Sequence, residues 1–156
     1  IDVVKVLTRH RQCLVEQKNG WLRIVREDFS SPIARMWLFG IITSIELDMK
    51  WHIQKLTDAE WRAALTPDRI AGAQSLLQER QRRKQTCDLL DCLQLADLLT
   101  ILLNGKGFLS QSGFKSKNAV KRVFNDLEML RNYLAHSQRI GHESWASIAR
   151  LARHIE

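Results

Sequence analysis

Only two prolines occur in 156 residues, so few points force a helix to break, and the scarcity of other residues narrows the chemistry at once. Three cysteines, Cys13, Cys87 and Cys92, cannot all pair. The expectation is reduced thiols in a core, with Cys87 and Cys92 on an apolar helical stretch. No Cys-x-x-Cys pair and no His/Cys cluster has the spacing of metal ligands, so neither a metal nor a cofactor is expected. The longest apolar run, Met36 to Ile42, lies between Arg35 and Glu46 and is far short of the ~20 residues a membrane span requires. These absences predict a soluble, cytoplasmic protein with no membrane partner. The chain opens on isoleucine rather than methionine, which suggests a piece of a longer protein whose first residues carry no targeting signal.

What is present fits a compact helical fold. Apolar residues make up 45% of the chain, enough to fill one core at this length. The formal charge of +7 is uneven. Residues 104 to 156 hold 9 Lys/Arg against 4 Asp/Glu, a surplus of 5, while residues 1 to 103 hold 15 against 13, a surplus of 2. A basic excess of this kind attracts phosphate without reading sequence, and it is also common on proteins that never touch nucleic acid.

Residues 1–30 form a separate opening segment. Cys13 to Gln17 and Trp21 to Val25 are β-prone runs joined by Lys18-Asn19-Gly20, a hairpin signal. From residue 31 the signals are helical. Ser30-Ser31-Pro32 starts a long helix over Ile33 to Leu56, whose Trp37, Ile41, Ile45, Leu47 and Trp51 are expected in the core or at a dimer interface. Glu46 and Asp48 are solvated acids on that helix, or partners that orient an arginine from a neighbouring one. Thr66-Pro67-Asp68 opens a second helix through about Arg83, and Thr86 with Asp88 restarts one through Leu103. The basic run Arg80 to Lys84 between them reads as a solvated helix end or as an extension of a phosphate-attracting surface. Asn104-Gly105-Lys106-Gly107 stops the helix and opens a loop to Ser116. A final helix, Glu143 to Ile155, is expected to turn Trp145, Ile148, Leu151 and Ile155 inward, with His142 and His154 at the surface.

The most informative stretch follows Ser116, which can cap a helix carrying Val123, Leu127, Leu130 and Leu134 on one face. At about 100° per residue those four fall within roughly 60° of one another. Glu128, Arg131, Asn132 and His136 spread over about 140° of the opposite side, with small Ala135 between Arg131 and Asn132, a notch able to admit a phosphate. Imidazole can take or give a proton near neutral pH, and guanidinium is a planar, permanent cation matched to two phosphate oxygens. Cleavage of RNA without a metal needs a base for the 2′-hydroxyl, an acid for the leaving 5′-oxygen and a cation for the phosphorane. One imidazole does not easily perform both proton transfers, whereas a two-fold dimer faces two motifs across one cleft. The plainer alternative is that Arg131 and His136 complement the partial negative charge at a helix C-terminus.

The string Arg131-Asn132-Tyr133-Leu134-Ala135-His136, late in a helical domain, resembles the HEPN superfamily. The resemblance implies an all-α bundle of four to five helices over residues 31–156 and a homodimer that acts as a metal-independent endoribonuclease. Its product would carry a 2′,3′-cyclic phosphate. It gives Arg131 and His136 the catalytic roles and Asn132 a positioning one, with Glu128 in support. Lys115, Lys117, Lys121, Arg122 and Arg139 would supply the RNA-attracting field. Some members place a tyrosine two residues after the histidine, where this chain has Gln138. The opening hairpin resembles the end of a CBS-type nucleotide-sensing module, with Asp28 placed like its acidic residue, although Arg23 stands where a glycine is usual and the usual threonine is absent. The alternatives are a non-catalytic HEPN module that dimerises and transmits a signal from an upstream sensor domain, or a toxin paired with an antitoxin.

Overall fold

The computed structural model describes residues 2–105, 107–136, 138, 145, 147 and 148. Among them lie seven α-helices and one two-stranded antiparallel hairpin. Helices dominate, as expected, but they are more numerous than the four to five anticipated. The additional ones are short: α1 (Asp2–Arg9), α3 (Asp58–Ala63) and α6 (Phe108–Gln111). The chain groups into two compact units, residues 1–43 with 122–156, and residues 44–121.

In the first unit, α1 precedes strands β1 (Gln12–Gln17) and β2 (Gly20–Val25). Gln17 pairs with Gly20, so Lys18 and Asn19 form the turn, and Gly20 takes φ 135°, a backbone region that side chains disfavour. A lone hairpin is marginal in water. Arg26 ties its exit to α1, donating from Nε to the Leu7 carbonyl at 2.8 Å and from Nη2 to that of Thr8 at 3.3 Å. Val4 and Leu7 are buried one turn apart, a spacing outweighed in the sequence by β-prone Val3, Val4 and Val6. Asp28 has a local task, accepting a 2.8 Å hydrogen bond from the Val25 amide in the 3-10 turn that follows β2. Phe29 meets Trp37 edge-on and Trp145 at a tilt, at 6.3 and 5.0 Å between ring centroids.

The second unit carries α3, α4 (Pro67–Arg82), α5 (Leu95–Asn104) and α6. Helix α3 starts at a reciprocal cap in which the Thr57 hydroxyl accepts from the Glu60 amide and the Glu60 carboxylate accepts from the Thr57 amide at 2.8 Å. That contact holds Glu60 below the usual carboxylate range. Helix α4 runs as expected from Pro67 and is stopped by Lys84 at φ 58°. Within the basic run that follows, Arg80 is half-buried and donates to the Asp91 carbonyl at 3.1 Å, while Arg82, Arg83 and Lys84 are exposed.

The expected restart at Thr86 does not occur. Asp88 and Asp91 accept from each other's backbone amides, at 2.9 and 3.1 Å, and this exchange holds a turn where a helix would need those amides. The helix begins only after Gln94, whose amide donates to Asp97 at 2.9 Å. Arg69 then secures that start with a bidentate pair to Asp97, at 2.8 and 2.6 Å. Cys87 and Cys92 consequently lie outside any α-helix. All three thiols are free, Cys92 is buried, and burial pushes its pKa up.

Two long helices pass through both units: α2 (Pro32–Ile53) and α7 (Lys117–Ala135). Trp145, Ser147 and Ile148 of the expected last helix are helical and buried. The rest of it, including His142, Leu151, His154 and Ile155, lies outside the described residues.

Candidate functional site

Helix α7 begins as its sequence requires. The Ser116 hydroxyl accepts from the Ala119 amide at 3.1 Å, and the Ser116 carbonyl takes the first helical bond, from Val120 at 3.2 Å. Val120, Val123, Phe124, Leu127, Leu130 and Leu134 then bury one continuous face. With that face fixed inward, the 3.6-residue period leaves Arg131 and Asn132 exposed and Glu128 half-buried.

The helix ends at Ala135, and His136 sits in the turn that follows, exposed, with its amide still bonded to the Asn132 carbonyl at 3.0 Å. The Gln138 amide reaches back to the Tyr133 carbonyl at 3.0 Å, so the chain curls around the helix end. Arg131 and Asn132 therefore stand on the last turns of the helix and His136 just beyond it, all three open to solvent.

What fixes this end is a residue that carried no role in the sequence. The Arg35 guanidinium, from the first turns of α2, donates to the carbonyls of Tyr133 at 3.0 Å, Leu134 at 2.9 Å and Gln138 at 2.8 Å. The last carbonyls of a helix lack intrahelical partners and carry its partial negative charge, so a planar cation with several donors satisfies both needs. The one available signal was a lone arginine opening an apolar helix. A second tie is buried: Asp126, one turn before the motif, accepts from the Ser147 hydroxyl at 3.1 Å. Arg26 plays the corresponding part at the end of α1, so the same device recurs twice in this unit.

The expected RNA-attracting residues are distributed as follows. Arg122 is exposed on α7 in the same unit as the motif. Lys115, Lys117 and Lys121 are exposed and belong to the second unit. Arg139 lies outside the described residues. Glu46 and Asp48, considered as orienting acids, also belong to the second unit.

A cavity of about 210 Å³ in the second unit has a floor of Ile53, Trp61, Leu89 and Leu90, with Asp58 and Asp88 at its rim. Its carboxylates are already engaged: Asp58 accepts from the Trp61 indole at 3.3 Å and from Arg62 at 3.0 Å, and Asp88 from the Asp91 amide. Among the described residues no group of three His, Cys, Asp or Glu is placed to hold a metal, and no helix is long and apolar enough to cross a membrane. No protein-family model matches the chain, and no curated protein or solved structure matches it either.

Proposed function

We propose that the chain is a metal-independent endoribonuclease of the HEPN type, acting on RNA through Arg131, Asn132 and His136. One observation supports the reading: Arg131, Asn132 and His136 are each exposed at or just after the end of a helix whose opposite face is buried and whose terminus is clamped by Arg35. Attack of a 2′-hydroxyl on its own phosphodiester requires a cation and a proton-transfer group, which Arg131 and His136 would supply. In this mechanism His136 moves the proton, Arg131 stabilises the phosphorane and Asn132 orients the phosphate or the imidazole. Two copies in a homodimer supply the base and the acid, and the products are a 2′,3′-cyclic phosphate and a free 5′-hydroxyl. Arg122 and the lysines of α7 contribute attraction rather than selectivity.

The test is incubation with mixed single-stranded RNA in excess chelator, beside His136→Ala. Cleavage to cyclic phosphate that is lost in the variant supports the reading; cleavage that survives the substitution removes His136 from the mechanism. The second reading is a non-catalytic HEPN module that dimerises and relays a signal from an upstream nucleotide-sensing domain. The hairpin favours it, because β1 and β2 followed by Asp28 resemble the closing strands of such a domain. A stable dimer that leaves RNA intact would move the conclusion there. A toxin role with an antitoxin partner is compatible with the nuclease and would show as growth arrest on expression, relieved by His136→Ala.

A further inference from the structure

Between α4 and α5 lies a turn that the RNA reading leaves unused, and a thiol stands at each of its ends. Asp88 accepts from the Asp91 amide at 2.9 Å and Asp91 from the Asp88 amide at 3.1 Å, the reciprocal bonding of a capping box. The chain then winds through a single 3-10 turn, Leu90–Cys92, with the Cys92 amide donating to the Leu89 carbonyl at 3.1 Å. Lys50 and Arg80 hold this turn from outside, through the Asp91 carboxylate at 2.8 Å and the Asp91 carbonyl at 3.1 Å. In a capping box the residue just before the cap and the fourth residue after it bring their side chains together as a staple. Those positions are ordinarily apolar; here they are Cys87 and Cys92.

The two thiols are free and unequal. Cys92 is 6% exposed, whereas Cys87 is half-buried and its thiol donates to the Gln85 carbonyl at 3.8 Å. Burial pushes the Cys92 pKa up, the Arg80 guanidinium opposes it, and the Cys87 thiol, in hydrogen-bonding contact, raises it further. Cys87 therefore meets solutes first, and Cys92 stays protonated behind it.

We propose that Cys87 and Cys92 form a reversible dithiol–disulfide site whose substrate is a small-molecule disulfide of the glutathione type. After losing its proton to water, Cys87 attacks one sulfur of that disulfide, the small S–S bond breaks, and one small thiolate leaves and is protonated. Cys92 then gives up its proton, attacks the Cys87 sulfur of the mixed disulfide and expels the second small thiolate, which is protonated in turn. Two protein thiols are oxidised to one disulfide, and one small disulfide is reduced to two thiols. The residues enclosed by the new bond include Asp88, Leu89 and Leu90, which line the cavity of about 210 Å³, so oxidation restrains that lining. Both cysteines belong to the second unit and Arg131, Asn132 and His136 to the first, so the proposal does not rest on RNA cleavage.

The test exposes the reduced chain to glutathione disulfide, quenches it with N-ethylmaleimide in denaturant and digests it with trypsin, which releases both cysteines on one peptide, Gln85 to Lys106. The expected product is that peptide with neither cysteine alkylated, lighter than its reduced form by two hydrogens and restored by dithiothreitol. Cys92→Ser is expected to retain glutathione on Cys87, because nothing remains to expel it. Cys87→Ser is expected to leave Cys92 without glutathione and alkylated in the quench. The equilibrium constant for oxidation is expected to be about tenfold or more higher in the native chain than in the same chain unfolded in urea, since the staple holds the thiols together. Two thiols left unoxidised, a mixed disulfide that persists on Cys87 in wild type, pairing of either cysteine with Cys13, or equal equilibrium constants in the native and unfolded chain would each overturn the proposal.

Discussion

The two long helices divide their surfaces in opposite ways. Helix α7 buries every large aliphatic residue it carries except Met129 and turns a polar face, with the Arg131/Asn132/His136 group, to solvent. Helix α2 buries one apolar face and exposes another. A helix of the first kind is satisfied by its own chain. One of the second kind is stable here through its inner face but leaves an outer one that water solvates poorly. On the reading proposed above the chemistry would reside at the end of α7, which Arg35 of α2 holds through three carbonyls.

The comparison breaks most severely from inside α7. Leu130 is 2% exposed, and Leu130→Ala is expected to cost about 3 kcal/mol in urea denaturation, through lost transfer energy and the cavity left behind. Next comes the link between the helices. Arg35→Met keeps the alkyl stem but removes three charge-assisted hydrogen bonds to carbonyls, for an expected loss of about 1–3 kcal/mol. It should also speed hydrogen exchange at the His136 and Gln138 amides, whose acceptors lie in the released turn, while leaving the Ser116 end of α7 protected.

A smaller effect sits near the far end of α2, where Lys50 donates to Asp91 at 2.8 Å. The Lys50 ammonium, helped by the Asp88 amide, holds the Asp91 carboxyl below its usual range. Because the folded value is the lower one, this contribution is complete above the ordinary carboxylate pKa of about 4 and disappears as pH falls through the depressed value. Both partners are partly solvated, so the stability difference between wild type and Lys50→Met should be under about 1 kcal/mol at pH 6 and should shrink toward zero in strong acid. The smallest effect belongs to the outer face of α2. Leu47 is 59% exposed, so Leu47→Gln should change stability in urea denaturation by less than about 0.5 kcal/mol.

Much of the fold was legible because it is written in local rules. The Ser116 cap, the Val123–Leu127–Leu130–Leu134 face, the Thr66-Pro67 start and the hairpin signal Lys18-Asn19-Gly20 each rest on residues close in sequence, and all four stand in the structure, with Lys18 and Asn19 as the turn and Gly20 opening β2. Local evidence also misled. Thr86 and Asp88 look like a helix start, but Asp88 and Asp91 satisfy each other's amides and defer the helix to Leu95. Thr57-x-x-Glu60 is a capping box legible in the sequence, and it marks the start of α3.

What the sequence could not display is contact at long range. Arg35 and Leu134 are 99 positions apart, and nothing in periodicity or spacing joins them. The same holds for Asp126 and Ser147, whose pairing is tertiary. For the candidate site, the order of the motif along the helix and its outward direction follow from the 3.6-residue period, whereas the clamp that holds its end does not. Trp37, Ile41, Ile45, Leu47 and Trp51 were expected in a core or at a dimer interface; Ile41 and Ile45 are half-buried, whereas Trp37, Leu47 and Trp51 are exposed in the single chain and do not belong to its core.

The central claim is that the end of α7 catalyses attack by a 2′-hydroxyl. The most direct measurement is the cleavage of a single-stranded RNA and its fully 2′-O-methylated counterpart by the wild-type chain in excess chelator, with the new 3′ ends identified by mass spectrometry. The account predicts that the RNA is cut to 2′,3′-cyclic phosphate ends and that the methylated strand survives, since its nucleophile is blocked. Equal cleavage of both strands, 3′-hydroxyl ends, or an RNA left intact by the associated protein would contradict it.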